Sequence, residues 1–148
     1  MPITVADFFQ GYVDAFNRSL GGEVDVAGIR AHFSDCFVGA GPRGVQCGQN
    51  DDSFTEALHQ GYAFYKDIGT KAMAVRGVTA TPIDETHQMA RVAYRATYAK
   101  PPGEDIAIDF TVTYLLASRG ESYEIFAFIA GDEMALYRQH GLLPATAE

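Results

Sequence analysis

The chain contains no tryptophan, only two cysteines, and 11 basic residues against 19 acidic ones. Each shortage excludes something. A formal charge of −8 leaves no basic stripe to neutralise phosphates, so neither nucleic acid nor an anionic membrane surface is an expected partner. Cys36 and Cys47 stand outside any C-x-x-C arrangement and read as free thiols. No apolar run has the length needed to span a bilayer. The opening residues Met1 to Asp7 lack the basic and apolar regions of a signal peptide, so the expected location is cytoplasmic.

What is present fits one globular domain over residues 1–148, with no repeat, low-complexity tract or linker. The hydrophobic fraction is 47% and the charged fraction 20%, and a chain of this length has room for a core without staples. Phenylalanine and tyrosine are plentiful, at ten and eight copies.

Helical spacing comes first. Thr4 caps a helix whose Phe8, Phe9, Tyr12, Val13 and Phe16 recur on one face, and Gly21-Gly22 stops it. A shorter helix starts near Asp25, carrying Val26, Ile29 and Phe33. Cys36 to Val38 reads as a short strand broken by Gly39, Gly41-Pro42 and Gly44. Asn50, Asp51 and Asp52 then cap a third helix with a stripe of Phe54, Ala57, Leu58, Gly61, Tyr65 and Ile68, closed by Gly69.

From Lys71 the period changes to two. Strands are expected over 72–81, 86–99, 106–117 and 122–130, the second and third separated by Pro101-Pro102-Gly103. A last helix runs from about Asp132 to His140 and ends at Gly141. Helices followed by an antiparallel meander make an α+β plan, with the helices covering one face of the sheet.

A two-residue turn at Arg119-Gly120 would set Thr113 against Phe126, Thr111 against Phe128 and Asp109 against Ala130 on one side. The other side would carry Phe110, Val112, Tyr114, Leu116, Tyr123, Ile125 and Ile129. Both sides are substantially apolar, which predicts two burials. The expected covers are the helices on one side and a second copy of the chain on the other, with the last helix folding over the outer face as the alternative. The side bearing Asp109, Thr111, Thr113, Phe126 and Phe128 has the composition of an apolar cavity with a few orienting polar groups. Tyr12, Phe33, Phe37, Tyr62 and Tyr65 come from elements expected to converge on it.

The run Gln10-Gly11-Tyr12-Val13-Asp14-Ala15-Phe16-Asn17, followed by Gly28-Ile29-Arg30-Ala31-His32-Phe33-Ser34-Asp35, resembles the opening of nuclear transport factor 2-like proteins. The closing Phe126-Ala127-Phe128-Ile129-Ala130-Gly131 is similar too. That superfamily includes ketosteroid isomerase, SnoaL-like polyketide cyclases and scytalone dehydratase. The resemblance implies a cone: a strongly curved antiparallel sheet wrapped around an N-terminal helical layer, with an apolar pocket at one end and dimerisation through the outer sheet face. In the isomerase an aspartate base works beside an oxyanion hole of tyrosine and protonated aspartic acid. The resemblance carries the tyrosine onto Tyr12 and the protonated acid onto Thr113 or, with a small shift, Asp109. It carries the base onto about Gly41, which has no side chain to take a proton.

Other chemistry has thinner support. His32 and Asp35 are three apart, and two ligands do not make a metal site. His59 is the one histidine placed for a dehydratase, and Cys47 lacks a histidine partner. The sequence therefore implies a small-molecule-binding domain without metal or cofactor, its ligand a small, mostly apolar molecule with a carbonyl or hydroxyl reached by Tyr12. In an enzyme Tyr12 would be the oxyanion or proton donor and Asp109 the acid or base. An isomerase, cyclase or dehydratase, and a dimeric interaction module, are the alternatives.

Overall fold

The computed structural model describes residues 3–100 and 103–144, so Pro101-Pro102 of the expected loop lies outside the described residues. Helix α1, Val5–Gly21, begins where Thr4 Oγ1 accepts a hydrogen bond from the Asp7 amide at 3.0 Å. Helix α2, Val26–Arg30, is capped by Asp25, and α3, Asp52–Asp67, by Asp51. Each cap satisfies an amide that the helix itself leaves unpaired. Gly69 turns the chain out of α3 at φ +87°, where a Cβ would stand 2.5 Å from the Ala99 carbonyl oxygen.

Six strands form one sheet: β1 Phe33–Gly41, β2 Gly44–Gln49, β3 Thr70–Pro82, β4 His87–Lys100, β5 Glu104–Arg119 and β6 Ser122–Ala130. Their order is β2-β1-β6-β5-β4-β3. β1 lies parallel to β6 and every other neighbouring pair is antiparallel, so the curved sheet is mixed rather than wholly antiparallel. Helix α4, Glu133–Gln139, follows.

The sequence pattern missed the β1–β2 hairpin because its glycines read as breaks. Two of them hold aromatic rings instead. A Cβ on Gly39 would come within 2.7 Å of Phe128, and one on Gly48 within 2.8 Å of Phe37. At these two positions only glycine leaves room for the neighbouring ring.

Burial alternates along β4: Ala90, Val92, Tyr94, Ala96 and Tyr98 are buried, while Arg91 and Arg95 are exposed. On the inner face Phe9 and Val13 of α1 join Val92, Tyr94, Leu116 and Ile125 in the core. α4 closes the same side, its Tyr137 ring 6.0 Å from both Phe64 and Tyr98. It does not fold over the outer face.

The last hairpin departs from expectation by one residue, twice. Arg119 pairs with Ser122, so the turn is Gly120-Glu121, with Gly120 at φ +61°. Phe126 is then an extra residue between the pairs Leu116–Ile125 and Leu115–Ala127. Moving the turn by one residue shifts the pairing by two and leaves the faces as expected, whereas the bulge shifts it by one more and exchanges the faces of β6 beyond Phe126. Thr113 therefore faces Ile129 rather than Phe126, and Tyr114 rather than Thr111 faces Phe128. Phe110, Val112, Tyr114 and Leu116 point inward, and Asp109, Thr111 and Thr113 point outward.

Candidate functional site

The inner face and the helices enclose a chamber of about 90 Å³. Tyr12 and Phe16 reach it from α1, Tyr65 from α3, and Thr70 and Met73 from β3. Tyr94 and Tyr98 come from β4, Phe110, Val112 and Tyr114 from β5, and Glu133 and Tyr137 from α4. Beside it opens a wider cleft of about 570 Å³ between the β1–β2 hairpin and the β6–α4 junction. Phe37, Phe128 and Met134 give the cleft apolar walls, and Arg43, Gln46, Cys47 and Asp132 give it a polar rim. Tyr65 and Glu133 line both spaces.

The chamber is apolar in framework and hydroxylic in lining. The hydroxyls of Tyr94 and Tyr114 are 2.7 Å apart. Tyr137 Oη donates to Glu133 Oε1 at 3.5 Å, the long end of hydrogen bonding. Thr70 is only 9% exposed, and among the described residues its Oγ1 has no hydrogen-bond partner. A buried hydroxyl without a partner is uncommon, because its desolvation is not offset.

Burial pushes the Tyr12 hydroxyl up to about 12, with the Glu133 carboxylate adding to the rise. Burial likewise raises Tyr65, Tyr94, Tyr98, Tyr114 and Tyr137, so all six tyrosines stay neutral and able to donate. Burial also raises the Glu133 carboxyl, against a lowering from the Tyr137 hydrogen bond. The arrangement can bind an oxygen atom through several neutral donors and bring one carboxyl group to it.

Of the side chains the sequence singled out, Tyr12 and Tyr65 line the chamber, and Phe37 and Phe128 line the cleft. Tyr62 packs behind the chamber wall, 5.2 Å from the Phe16 ring and 5.4 Å from that of Tyr65. Phe33 is core, between Tyr12, Phe37, Phe54 and Phe128.

Asp109, Thr111, Thr113 and Phe126 lie on the opposite side of the sheet, because strand alternation turns them outward once Phe110, Val112, Tyr114 and Ile125 face the helices. Asp109 accepts hydrogen bonds from Arg95 Nε at 2.8 Å and Arg76 Nη1 at 2.9 Å, and the Arg95 bond holds its carboxyl below the usual range. Phe126 sets its ring edge-on to His87, 5.9 Å between ring centres. His59 is exposed on α3, Asp35 is exposed within β1 rather than at a helix end, and Cys36 and Cys47 are exposed free thiols. His32 bonds the Gly28 carbonyl through Nδ1 and packs on Phe8, and burial pushes its imidazole down. Among the described residues no three His, Cys, Asp or Glu side chains converge as metal ligands, and no helix is long and apolar enough to cross a membrane.

Sequence reasoning missed Thr70, Tyr94, Tyr98, Tyr114, Tyr137 and Glu133. A signal for two of them was present: Tyr94 and Tyr98 occupy alternate positions of a strand whose intervening Arg95 demands the solvent face. Glu133, as the first residue of a helix, looks like an ordinary dipole-compensating charge.

Comparison with known proteins adds the following. The family described as NTF2-like protein (DUF6841) matches residues 4–133. Among solved structures, Aln2 from a Streptomyces species superposes with a TM-score of 0.66 at 15% identity, over 91% of this chain and 92% of that one. A ketosteroid isomerase-like protein from Erwinia carotovora atroseptica gives 0.60 at 18% identity, over 86% and 92%. A protein of unknown function with a cystatin-like fold from Nostoc punctiforme gives 0.58 at 15%, over 88% and 94%. At these identities the likeness is one of fold. No sequence among the curated proteins matches.

Proposed function

The chain belongs to the NTF2-like family DUF6841, and from that premise we propose that it binds a small, mostly apolar molecule bearing a carbonyl or hydroxyl group. The observation that carries this reading is the junction of two spaces at Tyr65 and Glu133. The ligand body rests in the cleft against Phe37, Phe128 and Met134. Its oxygen enters the chamber, where Tyr12 and its neighbours donate hydrogen bonds and Thr70 gains a partner. An apolar cavity with a few polar groups aimed at one point is the usual form of a small-molecule site. The kinship in fold to a ketosteroid isomerase-like protein makes carbonyl compounds the first class to screen.

In the same reading the protein acts in the cytoplasm as a homodimer joined through the outer sheet face. Support comes from exposed apolar side chains on neighbouring strands there: Val45 is 70% exposed, Ile129 58% and Val38 37%. Val38 pairs with Ala127, and Ala40 with both Val45 and Ile129, so these groups share one side. A net charge of −8 argues against nucleic acid or an anionic membrane as partner.

A thermal-shift screen of the pure protein against apolar ketones, phenols and alcohols tests the binding reading. A ligand present at 100 times its Kd stabilises the native state by about 2.7 kcal/mol. The expected result is a reproducible rise in the unfolding midpoint that Tyr12→Phe diminishes. Equal affinity in wild type and Tyr12→Phe would remove Tyr12 from the site.

A further inference from the structure

We propose that the ligand of this site carries a protonated primary amine beside its oxygen, an amino alcohol or amino ketone whose ammonium group pairs with Glu133 where the chamber meets the cleft. This deepens the ligand-binding reading above and rests on it. The character of the walls leads to it.

Eight aromatic rings, six of them tyrosines, stand around the chamber, and Glu133 is its one carboxylate. No Lys, Arg or His lines that space. The faces of aromatic rings are negative and attract cations, the more so where water is excluded. The one charged side chain of the wall and the faces of its rings both favour a positive guest.

Glu133 has no cation of its own. Among the described residues no Lys, Arg or His forms an ion pair with it. It has no capping duty either, because Asp132 caps α4 by accepting from the Ala135 amide. Its hydrogen bond from the Tyr137 hydroxyl is long, at 3.5 Å. A carboxylate drawn out of water without a cation is costly, and a cationic ligand at the junction offsets that cost.

The hydrogen-bond count points the same way. A primary ammonium group brings three N–H donors and no acceptor. One hydroxyl hydrogen of Tyr94 and Tyr114 is used in the bond between them, and that of Tyr137 goes to Glu133. Their oxygens keep lone pairs that can accept. Thr70 Oγ1, nine-tenths buried and without a partner among the described residues, is a further acceptor. A guest with N–H groups uses these oxygens and the carboxylate; a guest with only an acceptor leaves Glu133 unpaired. The way in agrees: the cleft sets Asp132 and Glu133 against the single cation Arg43, and the chain as a whole carries a charge of −8. Such a field draws cations in.

Phenylglycinol and phenethyl alcohol make a matched pair of probes. They share a ring and a hydroxyl, and only the first carries an amine. Each is titrated into the full chain by calorimetry near neutral pH. Charge-assisted hydrogen bonding should set the two dissociation constants about 10- to 100-fold apart in favour of the amine. Glu133→Gln should lose this preference while still binding the alcohol.

Amine affinity should rise with pH as the Glu133 carboxyl, raised by burial, ionises, and fall again where the amine loses its proton. Alcohol affinity should not follow that curve. The titratable groups facing Glu133 are Tyr12 from α1, Tyr65 from α3, Tyr94 and Tyr98 from β4, Tyr114 from β5 and Tyr137 from its own helix. Asp132 and Arg43 are its charged neighbours in the cleft. Followed by NMR in the wild-type chain, the Glu133 carboxyl should titrate at lower pH with the amine bound than with the alcohol bound. Equal affinity for the two probes, or a preference for the amine that survives Glu133→Gln, would overturn the ammonium pairing and leave the binding reading standing. Saturable binding of neither probe would overturn both.

Discussion

The hydroxyls of Tyr94 and Tyr114 meet at 2.7 Å, although the register sets Tyr94 opposite Phe110 and Tyr114 opposite Ala90. The two side chains lean toward each other over the Val92–Val112 pair that lies between them. A bond reached by leaning fixes both rings along the sheet and shapes one wall of the chamber. Tyr114→Phe should leave the Tyr94 hydroxyl unpaired and cost about 1–3 kcal/mol. Tyr94→Phe combined with Tyr114→Phe removes both polar ends and should cost less than the sum of the single changes. Chemical denaturation of the three variants measures this.

Glu133 should make stability depend on pH with a definite sign. Its folded-state carboxyl titrates above the unfolded value of 4.5, so the folded chain keeps a proton that the unfolded chain has released. This contribution is fully present below the unfolded value and is lost as pH rises through the folded one. Thermal midpoints of wild type and Glu133→Gln, taken between about pH 4 and pH 8, should diverge in favour of the Gln variant as pH increases. A constant difference across that range would mean that the carboxyl is not raised by folding.

Gly39 lies under the Phe128 ring, and a methyl group there would stand 2.7 Å from it. Gly39→Ala should displace Phe128 from the cleft wall at a cost of about 1–3 kcal/mol, the usual range for overpacking. Ligand affinity should fall further than stability alone explains. Affinity measured by titration well below the unfolding midpoint separates the two effects.

Asp109 sits in an exposed cluster with Arg76 and Arg95. Surface pairs of this kind contribute about 0–1 kcal/mol. Asp109→Ala should therefore leave both the midpoint and the affinity for any chamber ligand nearly unchanged. A marked loss of affinity would bring Asp109 back to the site.

Ile129→Asp should shift the chain toward monomer in size-exclusion chromatography with light scattering, while Thr111→Ala on the same face should not. A dimer that survives Ile129→Asp would move the interface elsewhere.

Helix starts were legible because their signals are local: Thr4, Asp25 and Asp51 cap where the chain's own chemistry says they should, but α2 ends at Arg30 and the Phe33 expected on it opens β1 instead. Strand β6 was legible end to end, and β3 to β5 within a few residues. The last hairpin was less so, because a strand pair apolar on both sides does not say which face the helices cover, and because the bulge at Phe126, which turns Phe128 inward and Ile129 outward, is announced by no propensity. Asp109, Thr111, Thr113 and Phe126 do share one face, but it is the face turned away from the chamber, and Phe128 comes to the cleft wall through the bulge. Position 41 offers no side chain to take a proton, and the carboxylates that share its cleft, Asp132 and Glu133, come from the β6–α4 junction across a parallel strand pair.

The meeting of a tight chamber with a wide cleft at Tyr65 and Glu133 has a consequence for selectivity. The chamber, at about 90 Å³, is much the smaller of the two spaces, and it can judge a functional group by single atoms. The neighbouring 570 Å³ admits bodies of many outlines. A family of compounds with one common head and varied tails would be read alike, and a change of one atom at the head would be refused.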